Sequence, residues 1–136
     1  MRKWGKGSVA VRETLDPRLQ HYLDRVLLEV ADITLICGHR GQAEQNEYFY
    51  GKPQRSKLPW PKGKHNKLPS LAVDFKPYPM PDRPEKLWAS LAYVAGRIIQ
   101  MAAEDGVCIR WGGDWDLDGD LTDQDFDDLF HLEIVD

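Results

Sequence analysis

At 136 residues the chain has room for one domain that buries about two-thirds of its unfolded surface, and 42% apolar with 29% charged residues excludes a disordered or fibrous class. The net charge of −4 is unevenly spread: all 18 Lys and Arg residues precede Asp114, and eight aspartates fall between Asp114 and Asp128. No stretch approaches the ~20 apolar residues of a membrane span, and no internal repeat or nucleic-acid-binding motif is present.

The charged start Met1-Arg2-Lys3-Trp4-Gly5-Lys6 is not followed by an apolar segment with a small-residue cleavage site, so the expected starting compartment is the cytoplasm. Asp16-Pro17 then reads as an N-cap with proline at the first helical position. Leu19, Tyr22, Leu23, Val26, Leu27 and Val30 continue it at helical spacing. Ile33 to Cys37 is a β-branched run ending at Gly38, which places His39 and Arg40 at a strand exit; residues 41–50 read as a short helix closed by Gly51. Eight of the nine prolines lie between Pro53 and Pro84, a loop interrupted by one strand at Leu71 to Phe75. A second amphipathic helix is expected from about Glu85 to Glu104, with Gly106 past its end. Val107 to Trp111 and His131 to Val135 complete the pattern as strands. Cys37 and Cys108, both in apolar strand-like runs, are expected as reduced core residues. The order of elements predicts an α+β domain, with helices packed on a small antiparallel sheet.

A catalytic zinc takes three ligands from His and carboxylates and keeps a position open for water. His65 before one strand, Asp74 on it and His131 opening the last strand are candidate ligands, and Asp128 is placed to act as general base and then acid. By spacing alone the case is weak, and surface histidines with a solvated aspartate are the better-supported reading. His21 and the five tryptophans are assigned to packing or surface.

The wider context is more specific. Lys64-His65-Asn66 with Leu71-Ala72-Val73-Asp74-Phe75, Arg110-Trp111-Gly112-Gly113-Asp114-Trp115 and Asp128-Leu129-Phe130-His131-Leu132-Glu133 resembles the M15 metallopeptidases. That family includes D-alanyl-D-alanine carboxypeptidases and dipeptidases and phage L-alanyl-D-glutamate endolysins. Trp4-Gly5-Lys6-Gly7-Ser8, the helix from Pro17 and Gly38-His39-Arg40 with Gln42 and Gln45 are similar to the endolysin branch. The resemblance implies a D-Ala-D-Ala metallopeptidase (hedgehog-like) fold over residues 1–136, zinc held by His65, Asp74 and His131, and Asp128 as acid/base. It also implies Arg40 at the oxyanion and, with Gln45, at the substrate. The chain departs from the family pattern at Gly63, where relatives carry Ser, and in a longer spacer between His65 and Asp74.

Asp114-Trp115-Asp116-Leu117-Asp118-Gly119-Asp120 matches the start of an EF-hand loop, with Thr122 and Asp125 at the ninth and twelfth places. The segment 114–125 is read as a calcium loop, with Asp114, Asp116, Asp118, Asp120 and Asp125 as candidate ligands; a solvated acidic turn is the alternative. The functional expectation is a phage or prophage endolysin that cuts the L-alanyl-D-glutamate bond of the peptidoglycan stem peptide. It would work as a monomer without nucleic acid or stable membrane association, and would reach the wall from the host cytoplasm once the inner membrane is opened. The alternatives are D-alanyl-D-alanine cleavage and a calcium-dependent wall-binding module without catalysis.

Overall fold

The computed structural model describes residues 1–125 and 127–136. It has an α+β architecture: four helices and a four-stranded, fully antiparallel sheet in the order β1-β2-β4-β3. The elements are α1 (Lys6–Arg12), α2 (Pro17–Glu29), β1 (Ile33–Cys37), α3 (Gln42–Tyr50), a single 3-10 turn (Lys64–Asn66), β2 (Ala72–Pro77), α4 (Pro84–Glu104), β3 (Ile109–Gly112) and β4 (Asp128–Ile134).

Each long helix begins for a local reason. The Asp16 carboxylate accepts from the Arg18 backbone N–H at 2.9 Å and Pro17 presets the first turn, while α4 likewise starts with Pro84. Leu19, Leu23 and Val26 of α2 and Leu91, Ala95 and Ile98 of α4 are buried against one face of the sheet. That face supplies Leu35, Val73, Phe75, Ile109, Leu132 and Ile134. Each fully buried aliphatic or aromatic side chain contributes about 1.5–3 kcal/mol of transfer free energy, so this two-layer core holds the sheet flat against the helices.

Side chains alternate across a strand. Burying Val73 and Phe75 therefore sends Asp74 to the opposite face, and burying Leu132 and Ile134 sends His131 and Glu133 there. Register does the rest: Asp74 pairs with His131, and Arg110 with Glu133. A bulge between Trp111 and Gly112 brings Gly112 opposite Asp128, so close that a side-chain carbon at Gly112 would collide with the Asp128 carbonyl.

Three details depart from the expectations. The seven-residue α1 was not foreseen; it lies against β1, where Ser8 Oγ accepts the Leu35 N–H at 3.0 Å. The last strand starts three residues earlier than expected, at Asp128, because the bulged pairing with Gly112 extends it. Both cysteines are free, but they are not core residues: Cys37 is half-buried, and Cys108 is exposed in the turn before β3 begins.

Candidate active site

The exposed face of the sheet, α3 and the loop between α3 and β2 enclose a cleft of about 790 Å³. At its floor three donor atoms meet. His65 Nε2 lies 3.2 Å from His131 Nδ1 and 3.4 Å from Asp74 Oδ1, and His131 Nδ1 lies 3.3 Å from Asp74 Oδ1. Four-coordinate tetrahedral zinc with bonds near 2.0–2.1 Å sets its ligands about 3.3 Å apart, so the triangle has the size of one face of such a polyhedron. Asp74 Oδ1 is buried and has no hydrogen-bond donor, which is the condition of a ligand atom awaiting a cation. His65, Asp74 and His131 thus form a group able to hold a metal ion.

The second nitrogen of each ring is committed to the protein. His65 Nδ1 is 2.7 Å from the Gly38 carbonyl and donates to it; His131 Nε2 is 2.8 Å from Glu133 Oε1. These bonds orient both rings and leave His65 Nε2 and His131 Nδ1 with their lone pairs toward the centre. Glu133 also accepts from Arg110 Nη2 at 2.8 Å. Trp115 lies against His131, ring centroids 5.4 Å apart, so this tryptophan belongs to the site and not merely to packing.

The electrostatics are those of a charged cluster removed from water. Burial opposes ionisation of Asp74, but His131 and His65 outweigh it and hold the carboxyl well below the ordinary range. Burial disfavours a charged His65 ring, yet Asp74 and Cys37 more than offset this and raise it to about 10; His131 is raised by Asp74 and Glu133 against the same desolvation. Glu133 is held at about 2, burial being overcome by His131 and Arg110. Asp128, at the cleft edge, is raised: desolvation dominates, Asp74 adds to it, and the nearby histidines only partly counter it.

Arg40 is 94% removed from solvent. Its Nη1 donates to Gln45 Oε1 at 2.9 Å, its Nη2 stands 3.7 Å from Asp74 Oδ2, and its guanidinium lies 4.2 Å from the Tyr48 ring centroid. Gln45, expected at the substrate, sits in the lining of the cleft with its amide bonded to the protein. At 1% exposure its amide is used up by protein partners, accepting from Arg40 and Asn66 and donating to Ser56 Oγ and the Leu58 carbonyl. Through these bonds it positions Arg40 and the 55–58 segment.

The departures around His65 also have a local account. The Gly63 N–H donates to Asn66 Oδ1 at 2.8 Å, and a side chain at Gly63 would crowd that oxygen. The longer spacer is tied down by Arg40 N to the His65 carbonyl, Leu71 N to the Lys64 carbonyl and Ser70 N to the Thr14 carbonyl. Glu133 and Asn66 stand in the quoted motifs without a role, and Tyr48 was not singled out. The role of Glu133 was within reach, since residues two apart on a strand share a face; nothing local marks that of Asn66 or Tyr48.

In the acidic loop Asp114, Asp116 and Asp118 bring carboxylate oxygens within 4.8 Å of one another, while Asp120 and Asp125 lie outside that group. Asp120 instead caps Thr122, accepting from its N–H and its hydroxyl. Gly119 has a positive φ of 79°, as the tight turn requires.

The sequence model of the family described as phage L-alanyl-D-glutamate peptidase matches residues 1–135. The L-alanyl-D-glutamate peptidase of Escherichia phage T5 is 32% identical over 127 residues, covering 90% of this chain and 88% of the phage protein. Among solved structures, the Serratia marcescens L-Ala D-Glu endopeptidase ChiX shares the fold, with a TM-score of 0.67 at 19% identity over 96% of this chain and 87% of that one. By its sequence match along nearly its whole length, the chain belongs to the phage L-alanyl-D-glutamate peptidase family.

Proposed function

We propose that this protein is an M15-type zinc metallopeptidase that hydrolyses the L-alanyl-D-glutamate bond of the peptidoglycan stem peptide, as an endolysin of phage or prophage origin. The observation that carries the reading is the triangle of His65 Nε2, Asp74 Oδ1 and His131 Nδ1, with edges of 3.2–3.4 Å at the floor of the cleft. The family and the T5 relative supply the bond.

His65, Asp74 and His131 would hold zinc, which would supply Lewis acidity toward the scissile carbonyl and a water molecule. Asp128 would take the proton of the attacking water and return it to the leaving amine; its raised pKa keeps the carboxyl closer to the working pH, where one group can serve as both base and acid. Arg40, permanently charged and held by Gln45, donates to the oxyanion. Gly38 and Glu133 keep the two imidazoles turned toward the metal.

Asp114, Asp116 and Asp118 are proposed to hold calcium, with a lesser part for Asp120 and Asp125. Neutralising these carboxylates would relieve their mutual repulsion and steady the segment that leads to Asp128 and His131. A wall substrate lies outside the inner membrane, so the protein is proposed to act from the host cytoplasm once that membrane has been opened.

Mass spectrometry of purified peptidoglycan treated with zinc-loaded wild-type protein and with Asp128→Ala tests the reading. The wild type is expected to leave L-alanine on the glycan and to release peptides beginning with D-glutamate; Asp128→Ala is expected to be slower by about 10²–10⁴-fold with its zinc content unchanged. Cutting at D-alanyl-D-alanine instead, or full activity in the variant, would overturn the bond or the role of Asp128 respectively.

A further inference from the structure

Arg40, Arg55 and Lys62 line the cleft, as do Asp123, Asp125 and Asp128. An anionic ligand is drawn to the cations among them. Of these, Arg55 is held in place. Its guanidinium carbon lies 4.1 Å from the Tyr48 ring centroid, and that of Arg40 lies 4.2 Å from the same centroid. Both guanidinium groups thus rest on the one Tyr48 ring, which holds them in a fixed relation. The Arg55 and Ser56 N–H groups both bond the Tyr48 carbonyl, and buried Gln45 binds Ser56 and Leu58. The residue that fixes Arg40 thus also fixes the segment carrying Arg55. The anionic partner of Arg55 in the protein is Glu47, at 3.9 Å with both side chains more than half exposed. Such a pair is worth little and yields readily to a ligand.

The substrate chemistry calls for a cation in this place. A glutamyl residue whose amine is in the scissile bond has two carboxyl groups, and only one of them can carry the chain onward. The other is a free carboxylate unless it has been amidated. With the scissile carbonyl at Arg40, that carboxylate belongs to the residue immediately after the scissile bond, within about one residue's span (about 3.5 Å) of it.

We propose that Arg55, stacked like Arg40 on Tyr48, binds the free carboxylate of the D-glutamyl residue and makes the enzyme selective for the acid over the amidated stem peptide. This rests on the peptidase reading above. Arg suits the task because its planar fork matches a carboxylate bidentately, whereas a carboxamide offers one acceptor and no charge.

The test uses two synthetic muropeptides that differ only in having that carboxyl as the carboxylate or as the primary amide. kcat/KM is measured for zinc-loaded wild type, Arg55→Gln and Arg55→Lys, with the melting temperature of each as a check on folding. The wild type is expected to favour the acid by about tenfold or more, chiefly through KM. In Arg55→Gln the ratio should fall to within about twofold, and Arg55→Lys should retain part of it because the charge remains but the fork is lost. A wild type indifferent to amidation, or a folded Arg55→Gln that keeps the full ratio, overturns the proposal. If neither peptide is cut, the peptidase reading fails, and calorimetric Kd values for the same pair decide Arg55 on their own: equal affinities overturn its role, and an acid preference lost in Arg55→Gln supports it.

Discussion

Glu133 shows how a single side chain can govern a site it does not enter. It accepts from His131 Nε2 at 2.8 Å and from Arg110 Nη2 at 2.8 Å, so it is both buried and fully paired. Carboxylates in this position fix a ligand ring and raise its basicity, and losing one typically costs ten- to a hundredfold in metal affinity. Glu133→Gln keeps the shape but removes the charge; it is expected to weaken zinc binding by that factor in a competition titration against a chromophoric chelator. Unchanged affinity would reduce Glu133 to a structural partner of Arg110. His65, Asp74 and His131 were legible in the sequence through the motifs around them, not through residue type and spacing alone. Gln45 was placed at the substrate by the same resemblance, while its burial depends on where the 55–58 segment closes over α3, which no local pattern encodes.

At the level of elements, the amphipathic helices and apolar strands were readable because each carries its own hydrophobic period. By contrast α1 has glycines at 5 and 7 and no apolar stripe, and what holds it is non-local. Arg12 pairs with Asp24 of α2 through two bonds of 2.8 and 2.6 Å, and Trp4 Nε1 donates to the same carboxylate at 2.8 Å. Burial works against a charged Asp24, but Arg12 and Trp4 prevail and its pKa is lowered. A lowered pKa means that the folded state binds fewer protons than the unfolded chain, so the stabilisation is present above the ordinary carboxylate value of about 4 and is lost as pH falls below it. Both partners are about one-third exposed, and solvent screening limits the pair to roughly 1 kcal/mol. Asp24→Asn should therefore be less stable than wild type by about that amount in urea at pH 7, with the gap closing toward pH 3; a gap that persists at pH 3 would show that shape, not charge, is what matters. Strand order was beyond the sequence for the same reason as α1: the pairing of Asp74 with His131 is a fact of register between distant segments.

For the whole molecule, a metal held by this group would also be a cross-link. His65, Asp74 and His131 come from the 3-10 turn in the long loop, from β2 and from β4, so one ion would tie the loop carrying Arg55 to the centre of the sheet. An ion that binds only the folded chain stabilises it by RT ln(1 + [L]/Kd), about 2.7 kcal/mol when free zinc is a hundredfold above Kd. In a domain of this size that corresponds to a rise in Tm on the order of 10 °C. Stripping zinc with a chelator should therefore lower Tm by about that much and restoring zinc should recover it, whereas His65→Ala should melt at one temperature with or without the ion. Calcium added to chelated protein tests the acidic loop separately, because Asp114, Asp116 and Asp118 share no ligand with the zinc group. If zinc leaves Tm unmoved, the 3.2–3.4 Å triangle does not bind it with useful affinity. The loop that presents Arg55 would then be held by Gln45 and by backbone bonds such as those of Arg55 and Ser56 to Tyr48, which makes the zinc-dependent shift in Tm a measure of how far the metal organises the substrate side as well as the reacting centre.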